Sequence, residues 1–268
     1  MLNLLKTDLR RVLKDKLFLV LCIIAGVFAL ITPLLYKGLS VLMDGEDILG
    51  MFSAKDLFFR SFVPGDNLGL IAPVLIAIAL CKDYSHGTVR NKIISGYSRT
   101  TIFLSTFLTC VITLGAVMLA SGLLTLGFSL CFFEYQAQAF TWKDLGYLLL
   151  SIGFEVLVYC FIAAFTAFLC VFMKNVGLVI VGYVATAFLF TIIGAVTMIA
   201  VEFPGEMSEF ARELLGFINN ANLFSSTIIG GAESYGWKEL LYILTPSIGG
   251  AALFVWLGIV VFKKKDLK

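Results

Sequence analysis

Six long stretches of the chain, residues 17–36, 67–81, 102–133, 145–173, 176–201 and 240–262, share a single charged side chain, Glu155. A helix needs roughly 20 apolar residues to cross a ~30 Å hydrocarbon core, and only helices and closed barrels cross it with their backbone groups paired. Barrel strands alternate polar and apolar side chains, and these stretches do not. The pattern therefore predicts an all-α polytopic membrane protein with six transmembrane helices in one domain spanning residues 1–268. Composition agrees: 60% of residues are apolar and 14% charged, against about 45–50% and about 25% in soluble proteins. The second stretch reaches spanning length only by borrowing Ser61 to Asn67, which gives a span of 61–81 with Pro73 as a kink. The third is longer than an upright crossing requires, so it tilts, bends or protrudes.

Orientation follows from Lys and Arg in alternate loops. The N-terminus, the 82–99 loop, Lys174 and the C-terminal tail carry 14 of them, and the other side carries six. The basic side is expected to be cytoplasmic, with both termini inside. The first apolar run is too long for the core of a cleaved signal peptide and is read as a retained helix.

Several chemistries are excluded. The single histidine, His86, removes an intramembrane metalloprotease. The six cysteines lie in or beside apolar stretches with no Cys-x-x-Cys spacing and read as small hydrophobes. No Gly-Lys dipeptide occurs, so the chain lacks a phosphate-cradling P-loop and is not expected to be an enzyme in its own right. No catalytic, cofactor-binding or metal site is predicted, and no nucleic acid partner. Glu155 is read either as a carboxylate facing the bundle interior, in contact with substrate or a basic group, or as a wetted or protonated residue near the outer interface. An ion-coupled carrier using Glu155 and a non-transporting sensor or scaffold remain alternatives.

Two cytoplasmic pieces carry pattern. Residues 1–16 place Leu2, Leu5, Leu9, Val12 and Leu13 at helical spacing, with Lys6, Arg10, Arg11 and Lys14 largely opposite. This predicts an amphipathic interfacial helix on an anionic membrane surface. In the 82–100 loop, Ser85 or Asp83 is expected to cap a short helix beginning near Gly87 and Thr88. Val89, Ile93 and Ile94 give it an apolar stripe beside Arg90 and Lys92, Gly96 ends it, and Ser98 or Arg99 opens the third span. On the other side, the 202–239 loop places Phe210, Leu214, Phe217 and Ile218 at helical spacing opposite Glu209, Arg212 and Glu213, a second amphipathic helix.

Asp83, Gly87-Thr88, Arg90 and then Ser98-Arg99 before a long apolar segment resemble the signature of ABC-2 type permeases, the membrane subunits of ATP-binding cassette transporters. Two positions depart from it: Asp83 stands where Glu is commoner, and Gly96-Tyr97 where a Pro often precedes the Ser-Arg pair. The resemblance implies a multi-pass subunit of a bacterial cytoplasmic membrane that exports a hydrophobic or amphipathic peptide, antibiotic or drug. It further implies a second permease subunit, homo- or heterodimeric, and separate ATPase subunits that hold ATP and Mg. Asp83, Gly87, Thr88, Arg90, Ser98 and Arg99 would then form the coupling surface for that ATPase.

Overall fold

A computed structural model describes residues 1–42, 53–64, 68–85, 87–135, 141–173, 175–202, 208–224 and 237–265. His86 and parts of the 37–66 and 202–239 loops lie outside them. Among the described residues every regular element is helical: α1 (Leu2–Lys14), α2 (Lys16–Leu42), α3 (Ala54–Arg60), α4 (Leu68–Ser85), α5 (Thr88–Ile94), α6 (Arg99–Ser129), α7 (Trp142–Met173), α8 (Val176–Glu202), α9 (Glu209–Ala221), α10 (Trp237–Leu244) and α11 (Gly250–Lys264). A π-helical turn, Thr245–Gly249, joins α10 to α11.

Among the described residues five helices are long and apolar enough to cross a membrane, and a sixth is reached if α4 and α5 are taken as one bent span, their axes differing by 55°. The second stretch is where the structure departs from the 61–81 reading. Its helix begins at Leu68, and Ser61 and Phe62 instead form a turn that closes α3. Two tyrosines pin the chain on either side of this break. The Tyr159 hydroxyl donates to the Phe62 carbonyl at 2.9 Å and the Tyr183 hydroxyl to the Gly69 carbonyl at 3.0 Å. The Gly69 carbonyl is open because Pro73, four residues on in α4, has no N–H to give it, and the Phe62 carbonyl precedes α4, so each tyrosine partners a carbonyl that the helix ladder leaves unpaired. Pro73 sits inside α4, as predicted.

Burial separates the long helices into two kinds. The most apolar windows of α6 and α7 are 56% and 61% buried, whereas those of α2, α8 and the α10–α11 span are 22%, 17% and 17% buried. That first pair and α4, none of whose side chains from 69 to 83 is exposed, form the centre of the bundle; the others expose apolar side chains such as Leu19, Val181, Phe188, Val196 and Trp256. Such an outer surface fits lipid rather than water. Inside, α7 packs along α6 and α11, with Phe254 against Phe161, Phe165 and Phe168 at ring separations of 5.8, 5.0 and 5.5 Å. Small residues allow this closeness. A Cβ added at Gly258 would lie 2.2 Å from the ring of Phe103, and one at Gly250 2.6 Å from that of Phe161.

Helix α9 forms at the outer amphipathic stretch, capped by Ser208, whose side chain accepts from the Ala211 amide at 3.3 Å. None of its residues is buried, and Phe210, Leu214 and Phe217 stand exposed.

Candidate functional site

Both described termini converge on one end of the bundle, with α5 beside them. The contacts there begin with spacing along α1. Leu4, Asp8 and Val12 recur every four residues, so they share one helical face, and this face is buried against the bundle. Two are apolar and pack. The third is a carboxylate that is only 2% exposed and therefore needs cationic and hydrogen-bonding partners. It has them: Lys92 of α5 lies 2.7 Å from one carboxylate oxygen, and the Ser105 hydroxyl of α6 donates to the other at 2.8 Å. The same Lys92 ammonium reaches Asp83 of α4 at 3.0 Å, and Arg11 of α1 pairs with the other Asp83 oxygen. One turn further along, Lys82 donates to Asp15 at 2.7 Å. Six charges thus join α1, α4 and α5 where the sequence pattern alone suggests separate basic pieces.

Burial and pairing act on these groups in opposite directions. Burial pulls the Lys92 ammonium below its ordinary value, and its bond to Asp8 offsets part of that. The Asp15 carboxyl is held below the usual range chiefly by the hydrogen bond from Lys82.

The residues predicted to couple divide into a buried and an exposed set. Asp83 is buried and ion-paired, not presented outward and not a helix cap. The cap of α5 is Gly87, which makes no side-chain bond and adopts φ +70°. Gly96, at φ +88°, terminates the helix as predicted, with its amide donating to the Ile93 carbonyl at 2.9 Å and that of Tyr97 to Lys92 at 3.2 Å. Thr88 is half-buried and Arg90 is exposed. Val89 is buried, Ile93 is half-buried and Ile94 is 74% exposed, so the apolar stripe is narrower than predicted. Lys92, read as lying beside the stripe, turns inward. Ser98 caps α6, accepting from the Thr101 amide at 3.2 Å. The Arg99 guanidinium donates to the carbonyls of Phe262, Lys263 and Lys265 at 3.1, 2.9 and 2.7 Å, so it closes the C-terminal end of α11. On α1, Arg10 and Lys14 are exposed while Arg11 is half-buried in its pair.

The family model that matches this chain is described as "Protein of unknown function (DUF2705)" and covers residues 58–268. The chain belongs to this family. The DUF2705 segment holds α4, α5, α6 and Glu155, and so includes Asp83, Lys92 and Ser105 but not their α1 partners. No curated protein matches the chain.

Sequence reasoning missed Asp8 and Lys92 as a pair. The signal was present in part, because Asp8 is a charged residue at the i+4 position between Leu4 and Val12, an exception to an apolar face. Nothing in the linear pattern names its partner 84 residues away. Among the described residues no three His, Cys, Asp or Glu side chains converge as metal ligands, and all six cysteines are free. Glu155 lies on the buried face of α7, 1% exposed, and neither carboxylate oxygen has a hydrogen-bond partner. The wetted reading at the outer interface does not fit that degree of burial.

Proposed function

We propose that this DUF2705 protein is the membrane subunit of an ATP-binding cassette exporter, paired with a second permease subunit and driven by separate cytoplasmic ATPase subunits that bind ATP and Mg. The observation that carries this reading is α5. It is a short helix at the end of the bundle that gathers both termini, with Arg90 turned outward and Lys92 tied beneath it to Asp8 and Asp83. A force applied to the outer face of α5 passes through Lys92 into α1 and α4, and through Asp8 and Ser105 into α6. Helix α6 is one of the central helices, so displacement of α5 reaches the packing that would line a path.

In this reading the α5 end, where the basic residues concentrate, faces the cytoplasm of a bacterial cell, with α1 at the inner membrane surface. The apolar faces of α2, α8 and α11 meet lipid or the second permease subunit. Hydrophobic or amphipathic peptides, antibiotics and drugs are the cargo class, in keeping with six apolar stretches that share one charge, Glu155. Reversing a conformational equilibrium from 1:99 to 99:1 takes about 5.5 kcal/mol of differential binding, and α5 is the element that delivers it from the nucleotide cycle.

Copurification with a P-loop ATPase encoded beside this chain tests the assignment directly. Arg90→Glu, at the exposed face of α5, is expected to leave the subunit in the membrane and to abolish transport-linked stimulation of ATP hydrolysis. Asn91→Pro removes the amide bond to the Gly87 carbonyl, 3.2 Å in the native helix, and is expected to do the same. Full transport by both variants would overturn the mechanism.

A further inference from the structure

Helix α8 starts beside the C-terminal end of α7, where Lys265 bonds the Val171 carbonyl, and runs away from the charged joint. Near its far end the chain turns back. The Thr197 hydroxyl lies 3.2 Å from the side-chain oxygen of Asn219 on α9. Just past α9, the Asn222 amide donates to the Phe190 carbonyl at 2.6 Å, and the Phe224 ring stacks on Phe190 at 5.6 Å and meets Tyr183 at 6.3 Å. From Thr197 back to Tyr183 is about 21 Å of helix at ~1.5 Å per residue. Asn222 and Phe224 are buried, so the end of α9 dips into the bundle and does not stay at its surface.

Helix α10 lies alongside, with Tyr242 edge-on to Phe217 of α9 at 5.7 Å. Between the two helices is an open groove of about 570 Å³, well inside the roughly 300–1,000 Å³ range of ligand pockets. Phe217, Ala221, Leu241 and Pro246 give it apolar walls, and it ends at the π-helical turn. Lys238 is the one charged side chain among the described residues that line it. That lysine is exposed and enters none of the ion pairs that join described residues.

The groove has a direction. Helices α10 and α11 run toward the charged joint, where Arg99 closes α11. Lys238 is therefore at the lip and Pro246 about 12 Å deeper. Beside Lys238, Trp237 is 84% exposed, and Trp142, which opens α7 at the same end, is 87% exposed. Tryptophans collect at the membrane–water interface, so the lip lies at headgroup level and the apolar walls descend into hydrocarbon. An apolar groove there excludes water and is bordered by acyl chains. Apolar contact alone selects nothing among such chains. A cation at headgroup level above an apolar slot does select, for an anionic headgroup.

We propose that the groove between α9 and α10 holds one anionic phospholipid of the adjoining leaflet, its headgroup on Lys238 and an acyl chain against Phe217, Leu241 and Pro246. The site uses no residue of α5, so it holds whether or not the chain works with an ATPase.

The test uses the full chain in nanodiscs with Trp237 as its one fluorophore, the exposed Trp142 and Trp256 replaced by Phe. Phosphatidylglycerol or phosphatidylcholine with brominated chains is titrated in as quencher. Brominated phosphatidylglycerol is expected to quench Trp237 with an affinity roughly fivefold above that of phosphatidylcholine, the weight of one lysine beside an anionic headgroup. Lys238→Gln should bring the ratio close to one, and Ala221→Phe, which fills the groove, should weaken quenching by both lipids. Four results would overturn the site: equal affinity for the two lipids, a preference that survives in Lys238→Gln, undiminished quenching in Ala221→Phe, or no quenching by either lipid. The third would put the lipid on the rim, and the last would mean that a protein surface covers the groove. Should Ala221→Phe not fold, Lys238→Gln, a change at an exposed side chain, decides the question by itself.

Discussion

At Asp83 a single carboxylate decides whether α5 is attached to anything. It receives Arg11 from α1 and Lys92 from α5, and it is buried. Removing one member of such a set leaves cations unpaired in a poorly solvated place, which costs more than the pair itself contributes. Asp83→Asn is expected to destabilise the protein by about 1–3 kcal/mol, read as a lower melting temperature in detergent or nanodiscs, with loosened hydrogen exchange concentrated in α1 and α5. Arg90→Glu, two residues before Lys92 but outward, should leave that melting temperature nearly unchanged, because an exposed charge carries little folding energy. The contrast separates a charge that holds α5 from one that presents it. It also shows where linear reasoning stops. Helical spacing identified α1 and α5, yet it grouped Arg11 with the lipid-facing basic residues and Lys92 with the surface, because spacing gives a face and not the partner of that face.

At the scale of elements, termini and close approaches carry the fold. Gly87 and Gly96 bracket α5 with left-handed φ values that side chains resist, and this was readable from their positions flanking the apolar stripe. The cap was not: an acidic or hydroxyl residue was expected, and Asp83 is drawn away by its ion pairs. A proline at Thr88, the first residue of α5, would fall where the ring is tolerated, so the breaking substitution belongs at Asn91. Between elements, Gly258 of α11 permits the fully buried Phe103 of α6 to lie against the backbone. Gly258→Ala is expected to cost about 1–3 kcal/mol through overpacking, measured by thermal unfolding. An alanine at Gly115, with open space around its Cβ direction, supplies the control.

Among the described helices α4, α6 and α7 lie inside and α2, α8 and α11 outside, with the charged joint at one end. The outer apolar faces make a physical commitment to lipid. Phe188, near the middle of α8, is 64% exposed, and Phe188→Lys is expected to cost about 3 kcal/mol of insertion free energy, seen as a reduced membrane-integrated fraction. The sequence alone determined the solvent: long runs without charge must be helices in a bilayer, since unpaired backbone groups are too costly there and no other distant contact is needed to reach that result. It likewise located the short helix between two glycines and the isolated Glu155. Tertiary structure decided everything that depends on a partner far along the chain. It started the second long helix at Leu68, with Tyr159 and Tyr183 holding the carbonyls of Phe62 and Gly69 on either side of that start. It joined Asp8 to Lys92 across 84 residues, and it left both Glu155 oxygens buried without a hydrogen-bond partner. Periodicity assigns a side chain to a face, whereas the energy of a buried charge is set by what lies opposite, and that is fixed only when the helices pack.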